Sequence, residues 1–506
     1  MRPEISTRLV GLGALCAIWL GAGCSNSGPF NNGRRAAQGT LCASPRQDAW
    51  LADPALCLVE YASNVAGSNP RGMAFAPNGD LFVVSSGRVV VLYDANGDGI
   101  SDSSERAVFG SIAGLSHGIA FSPDRQFLYV SSDTTVYRWP YTAGQRTATV
   151  APSMVVSGMS SGGHITRTLI FDSAGRLYVS IGSATNLDTD PTLLATRSQI
   201  RRFVVPSPLP PNGVDFTSGE LVASGMRNEV GMTFDSHGRM WGVENGRDQL
   251  FDNRFGGDIH YDNPSEKLNR VGVSGPTYFG YPQCWPEGDL PGGSGPGTLH
   301  ADQEVPPELL QNDAWCQNSG NVQPPAAVMP AHWAPLGITA YTGDLLPAAY
   351  RGDLFITSHG SWNREIGQVG RLVVRAHLLA DGTVASIEPI VGERGSNGLL
   401  RQGQWLIRPV DIQQGPDGAL YFSDDLGGSV FRIAAQGQDA ADGGTPPASS
   451  GPAAGSKSGC SSAPGTANVG TALALLLVFA ARFGHSRLLR RSTRAIEGRR
   501  SVHAPP

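Results

Sequence analysis

RGMAFAPNGDLFVVSSGRVVVL, from Arg71 to Leu92, is the stretch on which the fold turns. Apolar residues alternate with period two, PNGD supplies a turn, and a second apolar run follows, which is an antiparallel hairpin pattern. The pattern recurs as HGIAFSPDRQFLYVSSDTTVYRW from His117, RTLIFDSAGRLYVSIGSA from Arg167 and VGMTFDSHGRMWGVENGRDQL from Val230. Two more copies, weaker at the start, begin at Ala334 and Ile407. Hairpins repeated six times at propeller-blade spacing predict an all-β, six-bladed β-propeller, with Gly and Ser suited to a crowded axis. A β-sandwich or β-helix explains the hairpins but not closure at six copies. The long excursion between the fourth and fifth copies, about 252–329, is the kind of loop that builds a binding site.

Composition agrees with a loop-rich folded body. The 506 residues include 65 glycines and 36 prolines, with 16% charged and 40% hydrophobic residues. A net charge of -5 offers no basic footprint, so no nucleic-acid partner is expected.

The ends read as targeting segments. Two arginines precede an apolar run from Val10 to Gly23, too short to span a bilayer comfortably, so residues 1–24 are expected to be a signal peptide. Small residues before Cys24 resemble a lipoprotein cleavage site, although Gly21 stands where leucine is usual. Residues 25–56 are expected as a linker or extension, 57–435 as the propeller and 436–467 as a Gly/Ser/Pro-rich linker. Residues 468–484 are expected as a single hydrophobic transmembrane or sorting helix and 485–506 as an arginine-rich tail, cytoplasmic by the positive-inside rule. This end resembles bacterial C-terminal sorting signals, with Cys460 the processed residue, and reads equally as a permanent anchor. The expectation is an exported protein, periplasmic or at the cell surface, tethered to the membrane by lipid at Cys24, by the C-terminal helix, or both. Among the body cysteines, Cys42 with Cys57 and Cys284 with Cys316 are the simple local pairings in an oxidising compartment.

DANGDGISDSSE, Asp94 to Glu105, fits the twelve-residue calcium-loop pattern at every constrained position. Asp94, Asn96 and Asp98 would give side-chain oxygens, Ile100 its carbonyl, Asp102 a direct or water-mediated contact and Glu105 a bidentate carboxylate. It follows a strand, so the expectation is an isolated structural calcium loop, with a metal-free acidic turn as the alternative.

GGHITRTLIF from Gly162 and SGMRNEVGMTFD from Ser224 place His164, Arg227 and Asn228 just before successive blade strands, where they converge on one channel mouth. With VENGRD, NPSEKLNRV, YFGYPQCW, HWAPLGITAY, SHGSWNR and IRPVD, the chain from about Asn69 to Ile433 resembles the glucose/sorbosone dehydrogenase family, six-bladed propellers that carry pyrroloquinoline quinone beside calcium. The resemblance implies oxidation of an aldose or related aldehyde by hydride transfer to the quinone, with His164 as general base and Arg227 stabilising the oxyanion. It implies cofactor contacts from Asn228, Asn245, His332, Trp362, Asn363, Arg364 and Arg408, and a catalytic calcium on the carbonyls of Gly246 and Arg247. Trp362 reads equally as a packing residue. Gly163 replaces the family's acidic residue before the histidine, Leu406 replaces one of its paired arginines, and its cofactor lysine has no match around His359 to Arg364. These departures look closer to the sorbosone-type branch. No heme-attachment motif occurs, so a separate electron acceptor is expected.

Other functions compete. GMSSG, Gly158 to Gly162, satisfies G-x-S-x-G but lacks the following helix, so Ser160 reads as coincidental. A calcium-dependent propeller lactonase would use Glu244, Asn245 and Asn228 around a metal. A non-catalytic, surface-anchored binding propeller would keep the fold alone.

Overall fold

All six repeated hairpins become the first two strands of a separate antiparallel sheet. The innermost strands are Pro70–Phe75, Leu115–Phe121, Leu169–Phe171, Glu229–Phe234, Pro335–Ala340 and Pro409–Gln414. The computed structural model describes residues 41–65, 69–272, 275–364 and 367–437, and over these the chain is an all-β, six-bladed propeller with two short helices. The second strands, such as Leu81–Ser85 and Leu420–Asp424, are buried throughout because a blade is covered on both faces by its neighbours. Aromatic rings seal the joints: Phe82 of the first blade meets Phe121 and Tyr141 of the second edge-on at 5.1 and 5.7 Å.

The ring closes through the start of the chain. Leu56–Ala62 is the outer strand of the last blade, with Leu58 opposite Ile433 on Ser429–Ala435. Residues 41–56, within the segment expected as a linker or extension, pack onto the propeller. Ala49–Leu51 pairs with Val384–Arg394 of the fifth blade, Arg432 donates to the Leu41 carbonyl, and Cys42 is disulfide-bonded to Cys57. Leu41 and Ala49 are buried, which anchors the segment by the hydrophobic effect. The second expected disulfide, Cys284 to Cys316, ties the long excursion together beside the hairpin Cys284–Pro286 with Leu299–Ala301. The expected signal segment, Cys24, Cys460 and the hydrophobic helix 468–484 lie outside the described residues. Among the described residues, no helix is long and apolar enough to cross a membrane.

At the axis, one position per blade faces the backbone of the next: Gly72, Gly118, Thr168, Gly231, Gly337 and Asp411. A Cβ at Gly72 would overlap the His117 carbonyl, at Gly118 the Arg167 carbonyl, at Gly231 the Leu336 carbonyl and at Gly337 the Val410 carbonyl. The two exceptions use their side chains for the same joint. Thr168 donates its hydroxyl to the Val230 carbonyl, and the Asp411 carboxylate accepts from the Met73 N–H at 2.7 Å. Ser131 and Ser423 add hydroxyl donors to the carbonyls of Arg167 and Arg71, both at 2.7 Å.

Substituting Gly72→Ala is expected to destabilise by about 3 kcal/mol or more, because the obstacle is backbone. Gly275→Ala, with open space around it, should be near neutral by thermal unfolding. Burial lifts the Asp411 carboxyl to about 6. A raised folded-state value means its stabilising contribution is complete below about pH 4 and is lost as pH rises through about 6. Relative to Asp411→Asn, the wild type should therefore lose about 3 kcal/mol of unfolding free energy between about pH 4 and 7. Parallel pH curves for the two proteins in urea denaturation would refute this.

Candidate active site

A cavity of about 360 Å³ opens where strand starts from several blades meet. Its wall includes His164, Arg227, Asn228, Asn245, Gly246, Arg247, His332, Trp362 and Arg408, so most of the residues assigned from sequence share one space. Asn363 and Arg364 do not line it. Asn363 sits behind the wall beside His332, and Arg364 pairs with Asp262 at 3.2 Å. The three arginines expected to face an anionic cofactor are thus two, Arg227 and Arg408.

His164 is held by its Nδ1, which lies 3.1 Å from the Ser183 carbonyl and 3.0 Å from the Ser183 hydroxyl. That hydroxyl donates its own proton to the Thr185 carbonyl at 2.7 Å, so both groups facing Nδ1 act as acceptors. The imidazole therefore carries its proton on Nδ1 and keeps a lone pair on Nε2. Burial and the charge of Arg227, with Arg197 and Arg167 adding to it, press the imidazole down to about 3, so the ring is neutral.

The other cavity histidines differ. His332 Nε2 faces the His260 carbonyl at 2.5 Å and Nδ1 faces the Asn363 amide at 3.0 Å, so neither nitrogen is free for chemistry. The Asn363 Nδ2 has no partner, and exchanging the amide atoms lets it donate to Nδ1. His359 was not assigned from sequence. Its Nε2 lies 2.9 and 3.1 Å from the two Asp425 oxygens, and Arg71 holds that carboxylate at 2.7 Å.

Arg227 is clamped rather than free. Its backbone N–H donates to Glu244, and its guanidinium donates to the Asn186 and Gly246 carbonyls and to the Asn186 and Asp248 side chains. Asp248 and Glu266 also line the cavity. Glu266 accepts from the Gly246 N–H at 2.7 Å and the Ala334 N–H at 3.1 Å, stitching the fourth blade to the fifth, and burial raises its carboxyl to about 7. These partners come from loops and later strands with no spacing signal in the sequence. Arg408 donates to the carbonyls of His359 and Gly360. Trp362, 76% exposed, stands at the cavity edge rather than in a packed interior.

Candidate metal ligands are placed as follows. Gly246 presents its carbonyl to Arg227 Nη1 at 2.6 Å, and the Arg247 side chain is taken by Asp302 and Glu304. Between strands Arg88–Leu92 and Arg106–Ser111, the Asp94 carboxylate accepts from Gly97 and Gly99, and Asn96 and Asp98 bond one another. Glu105 accepts from Ala95, Asn96 and Asp102, while the Asp102 carboxylate turns to Ser104 and Ile100 is exposed. Among the described residues, no group of three or more His, Cys, Asp or Glu side chains surrounds a metal position. Of the candidate lactonase ligands, Glu244 faces Lys267 Nζ at 2.7 Å and Asn228 donates its Nδ2 to Asn245, which leaves Asn228 Oδ1 without a protein partner. Ser160 has no helix behind it, and its hydroxyl and carbonyl both accept from Arg197.

Comparison with known proteins supplies the family. A family model described as TrAA12-like matches residues 60–436. A pyrroloquinoline quinone-dependent sugar dehydrogenase of Hypocrea jecorina is 31% identical, covering 73% of this chain and 86% of its own. A pyrroloquinoline quinone-dependent pyranose dehydrogenase of Coprinopsis cinerea is also 31% identical, over 72% of this chain but 52% of its own, so this chain spans about half of that relative's length. The holo form of the quinone domain of Coprinopsis cinerea pyranose dehydrogenase superposes with a TM-score of 0.66 at 28% identity, covering 77% of this chain and 98% of that one. The placement nearer the sorbosone-type branch is not supported by these matches.

Replacing Glu266 with Ala leaves the Gly246 and Ala334 donors without an acceptor. It is expected to cost about 1–3 kcal/mol per donor in chemical denaturation, with Glu266→Gln losing less because one acceptor oxygen remains.

Proposed function

The chain belongs to the TrAA12-like family, and from that membership we propose that it is a pyrroloquinoline quinone-dependent dehydrogenase oxidising a pyranose or related aldose. The observation that carries the reading is the convergence of His164, Arg227, Asn228 and Arg408 on one cavity. The residues fit the quinone. Two guanidinium groups suit a tricarboxylate, and the buried Asn228 Oδ1, which has no protein partner, is an acceptor available to a ligand. When bound, this cofactor supplies an electrophilic carbonyl that takes hydride from the sugar carbon.

The protein's part is proton handling and orientation. His164 Nε2 receives the proton of the sugar hydroxyl as hydride departs, and the Nδ1–H bonds to Ser183 strengthen as the ring becomes charged. Arg227, immobilised by Asn186, Gly246 and Asp248, presents a fixed positive charge where oxyanion character develops. Arg227 is the largest charge acting on His164, so an anion bound against Arg227 would offset that field and move His164 up from its depressed value toward a useful base. Asn245, fixed to the Pro335 carbonyl, holds Asn228. Trp362 offers an aromatic face at the edge for a sugar ring.

Calcium is proposed at two places, the Asp94–Glu105 loop and the carbonyls of Gly246 and Arg247, the latter beside the carboxyl groups of Asp248 and Glu266. Electrons leave to a separate acceptor, and the protein is proposed to be exported and membrane-tethered through its termini.

Titration of the folded body with pyrroloquinoline quinone and calcium, followed by dye reduction with a panel of aldoses, tests the reading. Saturable binding is expected, with kcat reduced about 10²–10⁴-fold in His164→Ala while quinone affinity is retained. Absence of binding at every calcium concentration overturns it, and a lactone hydrolysis assay then separates the lactonase from the binding propeller.

A further inference from the structure

Below His164 lies a buried cation that the reaction does not directly need. Arg197 is 1% exposed, and its hydrogen-bonding partners are all neutral oxygens. Nε donates to the Gly182 carbonyl at 2.8 Å. Nη1 reaches the carbonyl and hydroxyl of Ser160 and the Ser161 carbonyl, and Nη2 the carbonyls of Gly162, His164 and Ser183. A buried guanidinium without a hydrogen-bonded carboxylate is costly, and dense carbonyl solvation offsets that cost only where the carbonyls must converge.

They converge on two segments. One, Ser160 to His164, carries the base. The other, Gly182 and Ser183, carries the groups that face the base's Nδ1. The Ser183 carbonyl is shared, meeting the His164 N–H at 3.0 Å, His164 Nδ1 at 3.1 Å and Arg197 Nη2 at 3.1 Å. Arg197 is itself fixed at the end of helix Pro191–Thr196, where Asp190 caps the N-terminus and the Arg197 N–H bonds the Leu193 carbonyl. A second buried arginine, Arg167, donates to the His164, Thr166 and Ser160 carbonyls from the opposite chain direction.

We propose that Arg197 is the positioning residue of His164: it gathers the Ser160–His164 loop and the Ser183 carbonyl around one guanidinium, and so holds the imidazole as its Nδ1–H tautomer with Nε2 left to the cavity. The proposal deepens the dehydrogenase reading and rests on it for its kinetic consequence, but not for its structural one. Gly163 lies inside the loop Arg197 gathers, at a left-handed φ of 61°. A Cβ there would strike the Ala184 backbone. The charged groups acting on His164 are Arg227, Arg197 and Arg167, while Asp188 and Asp133 act on the two buried arginines. Arg197 therefore also helps keep the ring neutral.

The test uses the quinone-free protein, labelled with ¹⁵N-histidine, and reads the tautomer of His164 by long-range proton–nitrogen correlation. Wild type is expected to show a single Nδ1–H form that stays neutral well below pH 6.5. Arg197→Met should show both tautomers in exchange and an upward-shifted titration. With quinone bound it should show kcat lowered about 10²-fold, quinone affinity within about threefold of wild type and an altered pH–rate profile. Arg197→Lys keeps the charge but not the fork, so the titration should stay near wild type while the tautomers mix. Should Arg197→Met fail to fold, Arg197→Lys decides by the same spectrum. A folded variant whose His164 remains a single Nδ1–H tautomer overturns the proposal. If His164→Ala keeps full dye reduction, the assignment of the base falls instead, and the spectrum still judges Arg197.

Discussion

Everything in this propeller depends on how closely neighbouring blades approach at the axis. The carbonyls of His117, Arg167, Leu336 and Val410 press against Gly72, Gly118, Gly231 and Gly337, where no side chain fits. At the two remaining joints Thr168 and Asp411 replace empty space by a hydrogen bond to the next blade. The close approach sets the radius of the ring, and the radius brings the starts of separate blades to one mouth. His164 precedes the third inner strand and Arg227 the fourth, and they face one cavity because glycine and hydroxyl side chains let the blades draw together.

Much of this was legible in the amino-acid order, for a physical reason. A blade repeats its backbone, so period-two alternation and a recurring turn disclose it, and a residue just ahead of the inner strand lands at the mouth whichever blade it belongs to. That is why His164, Arg227 and Asn228 are placed together by their positions in the repeat, whereas His332 and Arg408 follow from the family resemblance alone. What the repeat does not encode is the choice of partner. Arg364 reads as a cofactor cation but has found Asp262. Asp248 and Asn186 immobilise Arg227 from loops that carry no periodicity, and Glu266 fixes the wall beside it from the start of strand Glu266–Val271. The strand Ala49–Leu51 was hidden for a related cause, since three residues pairing to the edge of a blade far along the chain give no pattern to detect.

The site is organised around buried positive charge. Arg167, Arg197 and Arg227 lie near the base, and their field keeps His164 neutral, an imidazole fixed by acceptors rather than by a carboxylate. His359, held by Asp425 and Arg71, follows the opposite design in the same cavity. A polyanionic ligand entering this space meets a field already directed at it, and its own charge alters the proton affinity of the groups it meets, so ligand occupancy and base strength are coupled.

The last blade borrows its outer strand from the beginning of the chain, with Leu58 opposite Ile433. Neither disulfide crosses that seam, for Cys42 joins Cys57 and Cys284 joins Cys316, each within its own neighbourhood. The closing step therefore unites the two most distant parts of the body without a covalent bond, by strand hydrogen bonds, apolar packing and the Arg71–Asp425 ion pair. Such a pairing joins residues far apart in sequence, a separation that predicts late ring closure, since the sixth blade must be synthesised before Leu56–Ala62 has a partner. The same seam is the latch of the finished molecule, since the ring can part there without any covalent bond being broken.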